Sequence, residues 1–202
     1  MKPDYFKDNA QDWDKGNMRV NNARKIALNI RERINLEGKE HIMDFGAGTG
    51  LLSEGIAPFI HKITAIDYSG PMLYEFNKKQ WPCESETINI DLTRAKLEYT
   101  FDGIISSMTL HHIEDISDLF QKFHSLLKPG GFIALADLSK ESGDFHSSNE
   151  SVEHFGFDES DIRERLIKAG FFEIHFSLAN TIVKEVEGNQ KSFPIFLVTA
   201  FR

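Results

Sequence analysis

"IMDFGAGTGLLSEGI", residues 42–56, sets three glycines in five positions directly behind an apolar run. Glycine is the costliest residue to order, so it stands where a side chain would collide or the backbone must take positive φ. "HIMDF" reads as a strand and Leu51 to Phe59 as a short helix, which makes Gly46, Gly48 and Gly50 a strand-to-helix turn. Such a turn lets backbone come close to a ligand. The helix start behind it offers unpaired N–H groups and a partial positive charge, so a phosphate or a carboxylate is the ligand part expected there.

Outward from this turn the chain alternates strand and helix. Val20, Ala23, Ala27, Ile30 and Ile34 recur in steps of three and four, the period of an amphipathic helix. "KITAID" is a second strand, followed by a helix from Ser69 to Gln80; "SETINI" and "FDGIISSM" are the third and fourth strands. A helix from Ile116 to Leu127 stops at "KPGG", and "FIALADL" is the fifth strand. After a polar stretch from Ser139 to Phe157, a helix capped by Asp158 or Ser160 ends at Gly170. "FFEIHFSL" and "FPIFLVTAF", joined through "EGNQ", close the chain as an antiparallel hairpin. The expected fold is α/β: a Rossmann-like open sheet of about seven strands, mostly parallel with an antiparallel C-terminal strand, and helices on both faces. One domain is expected over residues 1–202, with a helical cap at 1–38 and the core at 39–202.

Composition narrows the partners. The net charge is −8, a poor start for gripping a polyanion, so nucleic acid is disfavoured. Locally, six basic residues face two acidic ones between Arg19 and Lys39, while Ser139 to Arg165 carries eight acidic against three basic. No stretch approaches the roughly 18 apolar residues of a membrane span. "MKPDYFKDNAQDWDK" lacks the apolar centre of a secretory signal. The single cysteine, Cys83, fits a reducing cytosol, so a cytoplasmic location is expected.

In an open sheet, ligands bind at the carboxyl ends of strands where strand order reverses. Asp44 and Asp67 end the first two strands, and Asp91 follows the third. An acid at the position of Asp67 can accept from both hydroxyls of a ribose, and Asp91 suits an exocyclic amine. The D-x-G-x-G-x-G spacing from Asp44 meets neither the dinucleotide pattern G-x-G-x-x-G nor a phosphate loop ending in G-K-[ST], which weighs against a nicotinamide dehydrogenase.

"MDFGAGTG", "AIDYSGPML", "DLTRAKLEYTFDGIISSMTLHHIED" and "LLKPGGFIALAD" follow in order. Together, over roughly Phe6 to Leu138, they resemble the class I S-adenosylmethionine-dependent methyltransferases. The resemblance implies S-adenosylmethionine as cofactor and transfer of its methyl group. Asp44 and the backbone of Gly46, Ala47, Gly48 and Gly50 would hold the methionine part. Asp67 would bind the ribose, with Tyr68 and Met72 flanking the adenine. Asp91 would accept from the adenine amine, and the Leu92 N–H would contact the ring. Ser107 and Met108 would lie under the sulfonium, and Trp13 and Arg19 would cover the cofactor.

Blander roles compete for several of these residues. Asp67 also suits the N-cap of the following helix, and "DLTR" around Asp91 also reads as a turn. The Arg19–Lys39 helix also reads as a solvated face over a buried apolar stripe. His111 and His112, just after the fourth strand, and His154 in the polar segment are candidate proton acceptors, since imidazole titrates near pH 6.5. Solvated loop histidines are the alternative, and no ligand spacing points to a metal. A chain of this size favours a small-molecule methyl acceptor. A binding module without turnover and a macromolecular acceptor are the alternatives.

Overall fold

The computed structural model describes residues 4–202; the first three residues of the N-terminal segment lie outside them. Seven strands form one sheet: β1 (His41–Phe45), β2 (Lys62–Asp67), β3 (Glu84–Asn89), β4 (Phe101–Ser107), β5 (Leu127–Leu138), β6 (Phe172–Val186) and β7 (Asn189–Phe201). Their order is β3-β2-β1-β4-β5-β7-β6, with β7 antiparallel to both its neighbours and the other pairs parallel. The continuous apolar runs "HIMDF" and "FIALADL" follow from this, because central parallel strands are covered on both faces.

Helices α1 (Asn17–Arg33), α2 (Leu51–Ile56) and α3 (Gly70–Asn77) cover one face, where Ile26, Ile30, Ile56 and Phe76 meet Ile42, Ile63 and Leu197. Helices α4 (Ile116–Leu126) and α5 (Glu159–Lys168) cover the other with Leu119, Phe120, Phe123, Ile162 and Leu166. Helix α1 joins this core through Ile26, Ala27 and Ile30. A Cβ on Gly55 would lie 2.4 Å from that of Ala27, so the glycine lets α1 and α2 touch.

The closing hairpin is longer than its apolar runs suggest. β6 and β7 pair out to Val186 and Asn189 across a two-residue turn, Glu187-Gly188, with φ of 50° and 79°. Both central residues at positive φ match the twist of the flanking strands, as in a type I′ turn. "KPGG" ends α4 as expected, and it also pairs with the C-terminus: the Gly130 N–H donates to the Arg202 carbonyl, and the Arg202 N–H to that of Gly131.

Candidate functional site

Strand order reverses between β1 and β4, and a cavity of about 1610 Å³ opens over the carboxyl ends of β1, β2 and β4. That volume exceeds the roughly 300–1,000 Å³ of a pocket for one small ligand. It has two ends of different chemistry.

One end is the glycine turn. The Gly46 and Ala47 N–H groups donate to the Ile66 carbonyl, Gly48 N–H to Oδ2 of Asp67 at 2.8 Å, and Gly50 N–H to the Ala47 carbonyl. These four donors of the turn serve the protein itself. The glycines of the turn answer to space. A Cβ on Gly46 would lie 2.3 Å from Thr109 Cγ2, and one on Gly50 would lie 2.6 Å from the Phe76 ring and 2.7 Å from Trp81. Gly50 is accordingly packed into the core and does not line the cavity. Gly48, at φ +55°, has nothing within 4 Å where its Cβ would be, and it lines the cavity with backbone alone.

Asp44 ends β1 fully buried, with Ser53 Oγ donating to its Oδ2 at 2.6 Å. Burial raises its pKa to about 7, against the pull of that hydrogen bond, and the nearby Asp67 adds to the rise. Asp67 ends β2 and accepts from the Gly48 and Ser69 N–H groups, both at 2.8 Å. Burial lifts it to about 6 in spite of these bonds. Ser69 is the N-cap of α3 and no side chain caps that helix, so Asp67 is not its N-cap; the Ser69 bond closes the turn between strand and helix. Asp91 also lines the cavity, but its Oδ1 accepts from the Thr93 N–H and hydroxyl, and Arg94 stands 3.5 Å from its Oδ2. Tyr68, Met72 and Leu92 line the same end, and Arg19 stacks 4.0 Å over the Trp13 ring at its rim.

The other end gathers beyond β4. Ser107 and Met108 line it, and Met108 holds φ +57°, a strained setting for a residue with a side chain. His111 is 1% exposed. Its Nδ1 lies 2.6 Å from Oδ1 of Asp137 on β5, whose carboxylate also accepts from the Leu138 N–H. Burial pushes the Asp137 carboxyl up, but the His111 imidazole and these hydrogen bonds outweigh it and hold the group below the usual aspartate range. His112 lies 2.7 Å through Nδ1 from the Ser151 carbonyl, and burial, then His111, lowers its pKa to about 4. His146 packs its ring 4.9 Å from that of His111 and is lowered to about 4 for the same reasons. Among the described residues, Nε2 of His111 and Nε2 of His146 are buried without a hydrogen-bond partner.

These are not solvated loop histidines. His154, by contrast, does not line the cavity: its Nε2 lies 2.8 Å from the Ile113 carbonyl and its ring packs on Phe157. Asp137 and Lys184 were not foreseen at the site. An aspartate inside the apolar run "FIALADL" was the available signal for the first, whereas Lys184 lies past the expected end of its strand.

The cavity thus joins a glycine turn and two strand-end acids to a buried histidine group, on a sheet of order 3-2-1-4-5-7-6. The methyltransferase-domain family matches residues 17–175. An uncharacterized methyltransferase of Schizosaccharomyces pombe is 32% identical over 123 residues, 53% of this chain and 42% of that protein. The mitochondrial ubiquinone biosynthesis O-methyltransferase of the same yeast is 30% identical over 151 residues, 68% of this chain and 54% of its own length. The chain spans about half the length of these curated relatives. Phosphoethanolamine N-methyltransferase 2 of Haemonchus contortus, solved with S-adenosyl-L-methionine, superposes with a TM-score of 0.68 at 16% identity, covering all of this chain and 60% of that one. With the sheet order and the family match in agreement, the chain belongs to the methyltransferase domain family.

Proposed function

We propose that this chain methylates a small molecule, with the cofactor on the glycine side of the cavity and the acceptor on the histidine side. The pairing of Gly48 with Asp67 carries this reading: backbone without a side chain faces open space beside a half-buried carboxylate. A carboxylate offers about four lone-pair sites. Two of those on Asp67 are used, and the others suit the two hydroxyls of a ribose.

The remaining assignments follow the turn outward. Asp44 and the Gly46–Gly50 turn flank the methionine part, Tyr68 and Met72 the adenine faces, and Asp91 with the Leu92 N–H the adenine edge. Trp13 and Arg19 cover the cofactor, and Ser107 and Met108 lie beneath its sulfur. When bound, S-adenosylmethionine supplies an activated methyl group. The chain's own tasks are to align the acceptor, exclude water and accept a proton where the nucleophile carries one. His111 and His112 stand at the acceptor side for that last task, and His154 has no part in it.

Charge supports a small acceptor. Three of the five basic residues of α1 are engaged locally: Arg19 stacks on Trp13, Arg31 stacks on Phe59 and Lys25 donates to Asn180, while the helix buries Ile26, Ala27 and Ile30. The relative named as an O-methyltransferase of ubiquinone biosynthesis fits the same reading. Among the described residues no helix is long and apolar enough to cross a membrane, and the free Cys83 accords with a reducing cytosol.

Calorimetric titration with S-adenosylmethionine tests the cofactor assignment. Saturable binding is expected, weakened about tenfold or more by Asp67→Ala, since hydrogen bonds to a charged group contribute about 1.5–3 kcal/mol. Unchanged affinity in that variant would remove the ribose role from Asp67.

A further inference from the structure

We infer that the methyl acceptor carries both a hydroxyl and an anionic group, the hydroxyl facing Nε2 of His111 and the anionic group pairing with Lys184. This deepens the methyl-transfer reading above and rests on it. The first half follows from tautomers. An ionised carboxylate only accepts hydrogen bonds, so the Asp137 bond holds a proton on Nδ1 of His111, and in the neutral form of the ring Nε2 then carries the lone pair. That lone pair is buried in the cavity wall without a partner. The Ser151 carbonyl fixes His112 in the same way, with Nδ1 as donor and Nε2 as a second lone pair. A buried acceptor atom without a partner is costly, and a ligand hydroxyl satisfies it.

The second half follows from charge. Lys184, on β6, lines the same cavity; its Nζ donates to the Phe145 carbonyl and stands 4.6 Å from the centre of that ring. No carboxylate lies within ion-pair distance of it among the described residues. Glu141, the acid that acts on it, spends Oε2 on the N–H groups of Gly143, Asp144 and Phe145. Burial and the charge of Arg19 lower the Lys184 pKa, and an anion beside it reverses both effects. Phe145 and His146 link the two ends, the His146 ring lying 4.9 Å from both Phe145 and His111. With Lys184 and Arg19 both cationic, an ammonium acceptor is disfavoured.

The step balances without a further reagent. The O–H bond of the acceptor breaks and its proton goes to Nε2 of His111. The O–CH₃ bond forms as the S–CH₃ bond breaks, with that electron pair leaving on sulfur. Asp137 is a positioning residue that keeps the receiving lone pair aimed at the cavity.

Phenol, benzoate and 3-hydroxybenzoate separate the two contacts when titrated into protein saturated with S-adenosylhomocysteine. The hydroxy acid should bind about tenfold tighter than either single-function probe. Lys184→Met should cost 3-hydroxybenzoate and benzoate about tenfold each and leave phenol and S-adenosylhomocysteine unaffected. His111→Gln should instead cost the two hydroxyl probes and spare benzoate. Equal binding of all three probes, no binding of any, or no response to Lys184→Met would overturn the inference while the methyltransferase reading stands. Loss of S-adenosylhomocysteine affinity in Lys184→Met would move Lys184 to the cofactor and overturn the anion assignment. Failure of wild-type protein to bind S-adenosylhomocysteine would sink the reading beneath it.

Discussion

The two ends of one cavity are built by different means. On the glycine side, three short segments in sequence, Asp44–Gly50, Asp67–Met72 and Asp91–Leu92, each end a strand and supply their groups within a few residues. On the histidine side, Asp137 on β5, His111 after β4, His146 in the 139–157 segment and Lys184 on β6 meet only through tertiary packing. On the proposed assignment of the two ends, the difference teaches that a cofactor can be held by local motif, whereas an acceptor is held by whatever the surrounding loops bring in.

Substitutions within the glycine turn would sharpen that contrast most. Gly50→Ala should destabilise the fold by about 3 kcal/mol, lowering the melting temperature by roughly 10 °C. Its Cβ strikes Phe76 and Trp81 in a left-handed position, and a melting scan shows the effect without any ligand. Gly48→Ala should cost only about 1 kcal/mol of stability, because nothing occupies the space its Cβ enters. It should nevertheless weaken S-adenosylmethionine about tenfold or more in calorimetry. If both variants melted alike and bound alike, the division of the turn into a core glycine and a ligand-facing glycine would be wrong.

The acids come next. Asp44 is raised to about 7 by burial, so its protonated form favours the fold: that stability is complete below the ordinary aspartate pKa and is lost as pH rises through 7. Asp44→Asn keeps an acceptor for Ser53 and removes the titration. The variant should melt like wild type at pH 4 and about 10 °C higher at pH 8. His112 and His146, lowered to about 4, act oppositely between that value and their ordinary one, and they are common to both proteins. Asp67, raised to about 6, must be charged to accept strongly, so cofactor affinity should fall as pH drops through 6. An affinity flat from pH 5 to 8 would argue against its role. The smallest effect is expected at Met108, where glycine relieves a left-handed backbone but gives up the side chain's packing against the core, so the melting stability should change by less than about 1 kcal/mol.

The sheet was legible in the chain because buried parallel strands write themselves as continuous apolar runs, and "HIMDF", "KITAID" and "FIALADL" fall at their expected places. The residues that line the glycine end were legible for the same local reason. Where the turn's own N–H groups go was not: those of Gly46 and Ala47 meet the Ile66 carbonyl and that of Gly48 the Asp67 carboxylate, partners set by the neighbouring strand. His111 and His112 drew attention by type, yet whether they were solvated depended on Asp137 and on the loop carrying His146 and Ser151, far away in sequence. His154 illustrates the converse. Its chemistry was suitable, and a single backbone carbonyl at Ile113 directs it elsewhere.

The most direct test is the structure of the complex with S-adenosylhomocysteine. The account predicts the ribose hydroxyls on the Asp67 carboxylate, the chain of the ligand running over Gly48, and the sulfur near Met108, with the His111–His146 end left open for an acceptor. A ligand whose ribose lies beyond hydrogen-bonding reach of Asp67, or which fills the histidine end itself, would contradict it.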